Sequence, residues 1–512
     1  MYKLFLSLRY LRRRPIALVA IIGMALCVFM VIVVASVMNG FLDQVATAAR
    51  GLMGDVVIDG YTGIPHYQQL IEQLNAHPDI RAATPVTHTY GLLKFGPRDV
   101  RTVSVMGIRL PEATEVTAFG RELHPPALQG APAFELPPDV QSRLAQRNFF
   151  WQRALAETDR EIEELDRQLE AALDAPPSPD GEDRIAALEG RLAGERQRAA
   201  DIRRICIFEP EHPGVILGVE IPGTTVRDEA TGQYQRYKRI GEAEKVQLTL
   251  LPLGRGTVGA MTEPVKKTFN LVGDQRFGIY VIDNSHVYVD FDVLNRLIEM
   301  GDRADQIQIR LADGSDEAAG NAGAAVVRDI WARFAAAHRE DVQVDQAAIQ
   351  TWRQKQAQYV DAVEKQRDLM VIILGIVSMV AVVLVFAIFY MMVVQKTKDI
   401  GILKSLGASH VGVAWVFLTY GSAVGLVGSV FGAAGGYAFV RNINAVHDWI
   451  ATAFGWRVFS RQAYMFDRIP DAVDPWVIVW VMVGAMIAGL VGALLPALRA
   501  ARMQPVEALR YE

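Results

Sequence analysis

Four long stretches without a charged side chain decide what this chain can be: 16–38, 369–394, 411–440 and 476–495. A helix needs roughly 20 apolar residues to cross the hydrocarbon of a bilayer, and each run reaches that length. Lys3, Arg9, Arg12, Arg13 and Arg14 precede the first run, and Leu4, Leu8 and Leu11 recur there at helical spacing. Residues 1–15 therefore read as an amphipathic helix on the inner membrane surface, ended by Pro15. A signal peptide is the rival reading of this positive front. The apolar run is too long for one, and no small-residue cleavage site follows it. The basic residues at both ends, with Lys396, Lys398 and Lys404 between the second and third runs, predict cytoplasmic termini and a cytoplasmic segment 395–410. Residues 42–368 and 441–474 then lie outside.

Composition agrees with spans joined to ordinary folded domains: 51% of the 512 residues are hydrophobic and 21% charged. The net charge of −5 and the lack of a basic stripe argue against nucleic acid as a partner. Cys27 lies in an apolar run and Cys206 in a distant polar stretch, so a disulfide between them has no support. The chain holds no G-x-x-x-x-G-K-[ST], H-E-x-x-H, C-x-x-C or G-x-S-x-G pattern. Gly254–Gly259 is glycine-rich but lacks a strand-to-helix setting, and reads as a loop. No catalytic constellation, metal site or bound cofactor is predicted. The four runs also lack any ionisable residue that an ion-driven transporter would need in its path, so the energy has to come from another subunit.

The large region between the first two runs reads as α+β. Strands are expected at 56–58, 83–88 and 102–108, with a helix at 67–75; at the far end come a strand 306–311, a helix 322–338 and a strand 342–344. These blocks, 42–138 and 301–352, are expected to pair into one unit, with a β-rich block 207–300 between them containing strands at 246–251, 267–272 and 287–289. Residues 139–206 read as an inserted antiparallel coiled-coil hairpin. Leu144, Trp151, Leu155, Ile162, Leu165, Leu169 and Ala172 form one heptad seam; Ile185, Leu188, Leu192, Ala199 and Ile202 form the other, with Glu195 interrupting. The cluster 174–181 supplies the turn. At about 1.5 Å per residue the longer arm reaches on the order of 50 Å. Trp352–Arg367 runs without a breaker into the second apolar run, which predicts one stalk-and-span helix over 353–394.

The segment between the second and third spans carries the functional expectation. Asp399 stands near the start of a short helix, Ile400, Leu403 and Leu406 follow at helical spacing, and Gly407 stands where it would stop. A docking helix for a cytoplasmic partner is the sharper reading; a solvated connector is the plainer one. Candidate coupling residues are Lys398, Asp399, Ile400, Gly401, Ile402, Lys404, Ser405, Leu406, Gly407 and Ala408, with Gly401 permitting close approach of the partner. Gly421, Gly425, Gly428, Gly432 and Gly436 in the third span, 411–440, read as a helix-packing face rather than a pore lining. The last span is expected at 475–495. A cytoplasmic tail follows over 496–512, with Arg499, Arg502, Pro505, Glu507 and Arg510 as its candidate residues.

Residues 399–409, DIGILKSLGAS, resemble the "EIGIRKALGAS" signature of FtsX-like, MacB-type ABC transporter permeases, departing by Asp399, Leu403 and Ser405. The tail from Pro496 to Tyr511 resembles the family ending "PARRAARLDPVEALRYE". Three shorter matches, at 7–12, 36–41 ("VMNGF") and 463–470 ("YYIDRLP"), resemble the lipoprotein-releasing LolC/LolE branch. The resemblance implies an α+β membrane protein of the bacterial inner membrane with four transmembrane helices and a porter-like plus β-rich extracytoplasmic domain. It implies a separate cytoplasmic ABC ATPase dimer holding ATP and Mg, a second copy or paralogous permease, membrane lipid, and a lipoprotein or other envelope cargo. The coupling helix and stalk would pass ATPase motion outward, and acyl chains would enter a groove lined by the first two spans. MacB-like efflux and FtsX-like signalling to a cell-wall hydrolase stay open. The hairpin is not covered by the resemblance.

Overall fold

The computed structural model describes residues 15–95, 99–174, 181–203, 208–223, 225–227, 234–236, 244–250, 263–314, 316–342, 347–455, 459, 468–471 and 473–504. The expected helix before Pro15, Cys206, Gly254–Gly259, most of 463–470 and the tail from Pro505 lie outside them, as does most of the expected strand 342–344. In chain order the principal elements are α1 (Pro15–Met53), β1 (Val56–Pro65), α2 (Tyr67–Asn75), β2 (Ile80–Phe95), β3 (Asp99–Ile108), β4 (Leu123–His124), α3 (Pro138–Leu173) and α4 (Gly181–Asp201). Then come β5 (Gly214–Gly218), β6 (Lys245–Leu250), β7 (Val265–Gln275), β8 (His286–Asp290), α5 (Phe291–Leu297), β9 (Arg303–Leu311), α6 (Glu317–Ala337) and β10 (Ala347–Thr351). The remainder is helical: α7 (Ala357–Gln395), α8 (Thr397–Ser405), α9 (His410–Arg441), α10 (Ile443–Phe454) and α11 (Pro475–Arg502). The chain divides into two compact bodies, one of 47–356 with 465–467 and one of 1–46, 357–464 and 468–512.

The first body is built on one mixed ten-stranded sheet in the order β10-β1-β9-β2-β3-β8-β5-β7-β4, with β6 bridging β2 and β7. The expected α+β and β-rich blocks are thus not separate sheets. The reason is the length of β2: its first half pairs with β9 at Ile80–Val86, and its second half with β6 at Gly91–Lys94. β10, which the sequence reading missed, pairs antiparallel with β1. Beside β1 and β9, Tyr67, Leu70 and Leu74 of α2 and Val327, Ile330, Trp331 and Phe334 of α6 are buried at 3–4 spacing. A second core gathers Val105, Val215, Leu248, Phe269 and Val287 with Leu294 of α5. In β6 every second side chain is buried, the period of a half-buried strand.

α3 and α4 run in opposite directions: Asp166 pairs with Arg196 at 2.9 Å and Asp159 with Arg203 at 2.7 Å, one index rising as the other falls. Leu165, Leu188 and Leu192 are buried between them, flanked by Ile162, Leu169 and Ala172. Two expected seam positions behave differently. Leu144 packs with Val140 into the sheet-side core beside Phe208 and Ile216, while Trp151 is only half-buried. Thr158 occupies an internal position instead, its hydroxyl donating to the Ala154 carbonyl at 3.1 Å.

In the second body the four apolar helices α1, α7, α9 and α11 are each long enough to cross a membrane. Ala20, Met24, Val28 and Ile32, spaced by four, form the buried stripe of α1. They share a core with Val385 and Phe389 of α7, Tyr420 and Val424 of α9 and Ala493 of α11. Several expected boundaries move. α1 does not stop at Met38 but continues to Met53, because 39–53 contains no proline and Gly54, at φ 75°, supplies the stop. The stalk is interrupted at Gln356: a capping box between Thr351 and Gln354 starts a separate turn, Trp352–Lys355, and α7 begins after it. The last helix passes through Pro496 to Arg502. A proline crowds the carbonyl four residues back, here Gly492, which lies so close to α7 that a Cβ would stand 2.9 Å from Val385 Cγ1. The segment 441–474, expected to be an outer loop, contains a helix, α10.

Candidate coupling segment

α8 sits between α7 and α9, and its sequence dictates both of its ends. Thr397 donates to the Val394 carbonyl at 2.8 Å as α7 finishes, and Lys396 pairs with Asp399 in the first turn. At the far end Gly407 adopts φ 93°. The Ala408 N–H then reaches the Leu403 carbonyl and the Gly407 N–H the Lys404 carbonyl, each at 3.0 Å, a Schellman closure that a side chain at 407 would strain. Ser409 follows at once as the N-cap of α9, its Oγ accepting from the Gly412 N–H at 3.1 Å. Only Ala408 separates the two caps, so the angle between α8 and α9 is tightly specified.

The residues of the segment divide by face. Ile400 is buried against Val393, Val413 and Ala500. Gly401, expected to permit close approach of a partner, is buried. Lys404 is likewise turned inward, donating through Nζ to the Ala501 and Met503 carbonyls at 2.6 Å each, with His410 Nδ1 at 3.1 Å. Those carbonyls belong to the end of α11, which lacks intrahelical donors of its own. Burial holds the Lys404 pKa below the usual lysine value. Lys398, Ile402, Ser405 and Leu406 remain exposed, with Leu406 at 81%. Leu403, expected at helical spacing with Ile400 and Leu406, is exposed beside them, whereas Ile400 is not. The result is a short helix pinned on one face, with Ile402, Leu403 and Leu406 exposed on the other beside Lys398 and Ser405.

The glycines of α9 serve two neighbours. A Cβ at Gly421 would stand 2.6 Å from Ala493 Cβ, and one at Gly425 would stand 3.0 Å from Met486 Cα, both in α11. Cβ atoms at Gly428, Gly432 and Gly436 would instead meet Met24, Ala25 and Ile32 of α1 at 2.8, 2.5 and 3.1 Å. Arg499 and Arg502 stand at the end of α11, the former with its guanidinium carbon 5.0 Å from the Tyr390 ring centre.

A second constellation, unseen in the sequence, lies within the sheet body. The buried Asp55 carboxylate accepts from Arg50 at 2.8 and 3.0 Å, from Arg310 at 3.4 Å and from the Leu311 N–H at 3.1 Å. The Trp352 N–H donates to the Asp55 carbonyl at 3.0 Å, and Lys355 pairs with Asp59 at 2.6 Å. The end of α1 and the turn leading to α7 are therefore both tied to β1. Among the described residues no group of acidic, histidine or cysteine side chains is arranged to hold a metal.

Two family models match separate parts of the chain. Residues 371–505 match the FtsX-like permease C-terminal model, and residues 17–144 match the MacB-like periplasmic core domain model. The lipoprotein-releasing system transmembrane protein LolC of Neisseria meningitidis is 25% identical over 321 residues, covering 62% of this chain and 74% of that protein. LolC of Xylella fastidiosa is 25% identical over 332 residues, covering 63% and 76%. LolE of Haemophilus influenzae is 28% identical over 161 residues, covering 31% and 39%. Among solved structures, the periplasmic region of MacB from Actinobacillus actinomycetemcomitans aligns at 10% identity and TM-score 0.26, covering 62% of this chain and 95% of that one. The extracellular domain of the Gram-positive transporter YknZ aligns at 9% identity and TM-score 0.24, covering 58% and 99%. The family matches and the four apolar helices point to a multi-pass inner-membrane protein.

Proposed function

We propose that this chain, an ABC-transporter permease of the FtsX, MacB and LolC kind, is the non-catalytic membrane subunit that passes the motion of a separate cytoplasmic ATPase to its extracytoplasmic body. The observation that carries the reading is α8. Ile400 and Lys404 lock one face to α7, α9 and α11, while Ile402, Leu403 and Leu406 offer the other face to a partner. An exposed apolar edge on a pinned helix is suited to transmit a push, because the helix cannot swivel independently of the spans it joins. Both termini and α8 face the cytoplasm; ATP and Mg belong to the partner. The reading takes release of lipoproteins from the inner membrane as the work performed, from the relatives named for that system. A paired permease, either a second copy or a paralogue, completes the complex.

The arm formed by α3 and α4 is read as an antiparallel coiled coil that meets an envelope partner. Phe149 and Phe150, 75% and 65% exposed on α3, favour a protein-binding role and keep signalling to a cell-wall enzyme as the second reading. The test of coupling uses Leu403→Glu with Leu406→Glu, and separately Gly407→Val, in the full-length chain co-expressed with the ATPase. Each should insert normally yet lose ATPase co-purification or uncouple hydrolysis from release. Unchanged association and release in both would make α8 a connector. The arm is tested by replacing 149–203 with a Gly-Ser linker, which spares Val140, Leu144 and Asn148 at its base. Loss of partner crosslinking is expected, with ATPase association retained.

A further inference from the structure

At the end of the helical body that carries α8, a cleft of about 740 Å³ lies between α7 and α11. Phe386, Tyr390, Leu495 and Leu498 form its apolar wall, and Arg499 and Arg502 stand on its α11 side. Both arginines are exposed, and among the described residues neither is paired with a carboxylate. The basic segment before Pro15 cannot neutralise them, since it contains no Asp or Glu. An apolar trough below two guanidinium groups, with a tyrosine at the level of the charges, matches an amphiphile with an anionic head. Guanidinium groups bind phosphate oxygens through paired N–H donors, and aromatic rings favour the headgroup level of a bilayer. Basic clefts between spans on the cytoplasmic side are suited to anionic headgroups.

We propose that this cleft binds an anionic phospholipid of the cytoplasmic leaflet, its phosphate between Arg499 and Arg502 and an acyl chain along Phe386 and Leu495. The proposal rests on the cytoplasmic placement of α8 given above. Its consequence is local: Lys404 holds the carbonyls on either side of Arg502, so the lipid bears on the same helix end to which α8 is tied.

The experiment is native mass spectrometry of the purified full-length chain without ATPase, so that its outcome is independent of coupling. Phosphatidylglycerol should persist as an adduct under conditions that strip phosphatidylcholine. Arg499→Gln with Arg502→Gln should weaken phosphatidylglycerol retention about thirtyfold, and the single Arg502→Gln about fivefold. The single variant also serves should the pair not fold. Lysine at both positions should keep most of the retention. Equal retention of the two lipids, or no loss in the glutamine variants, overturns the proposal. So does displacement by millimolar inorganic phosphate, which would show that the acyl wall contributes nothing. Removal of 505–512 should leave retention unchanged; a large gain would instead identify Glu507 or Glu512 of the tail as the occupant.

Discussion

Asp55→Ala is the sharpest test of how the sheet body holds the segments that lead to the membrane. The carboxylate is 3% exposed, and Arg50 and Arg310 are 30% and 20% exposed. Removing one partner of a buried pair costs about 3–5 kcal/mol, because the remaining charges and the Leu311 N–H lose their acceptor. Arg50 has water within reach, so the lower end, about 3 kcal/mol, is expected. For a body of this size each kcal/mol moves the midpoint by about 2 °C or slightly more, giving a Tm lowered by about 6 °C. The assay is thermal unfolding of the full-length protein followed by tryptophan fluorescence, with the buried Trp331 as a reporter in the adjacent core. Asp55→Leu combined with Arg310→Met should recover part of the loss, since an apolar replacement leaves fewer charges stranded. A midpoint within about 1 °C of wild type for Asp55→Ala would refute the reasoning behind that cost.

Other consequences follow from the same geometry. Gly432→Val should lower the stability of the helical body by about 1–3 kcal/mol or more, since its Cβ would stand 2.5 Å from the Ala25 carbonyl; Gly484→Ala, with nothing within 4 Å, should be neutral in the same detergent unfolding assay. Lys404→Met should free the α11 terminus, costing about 2 kcal/mol, and should raise amide hydrogen exchange in α8 while leaving α1 unchanged. His286, half-buried near His88, has its pKa lowered to about 4 by desolvation, so the unfolded chain binds its proton first as pH falls. Stability should therefore decline from about pH 6.5 to about pH 4, by at most about 3 kcal/mol, and His286→Gln should flatten that part of the profile in pH-dependent thermal unfolding.

Much of the architecture was legible because it is written in local periods. A charge-free run of membrane length, a strand alternating every second residue and a glycine at the end of a short amphipathic turn are properties of neighbours in sequence. Hence the four apolar helices, the helix at 67–75 and the stop at Gly407 are legible in the sequence alone. Boundaries were less so. The end of α1 depended on Gly54 rather than on the loss of hydrophobicity at Asn39, and α11 continues through Pro496 to Arg502.

The membrane-length runs, several of the strands and the short helix between two apolar runs were legible from local sequence. Which side of each segment faces its neighbours came from long-range contacts alone. Lys404 looks like a surface charge until the α11 carbonyls are placed beside it. The glycines of α9 form a single row in sequence, yet serve α11 at one end and α1 at the other. Asp55 gains its meaning only from Arg310, which lies 255 residues away. Periodicity records the alternation of faces along one element; the identity of the surface each face meets comes from groups brought together by the fold.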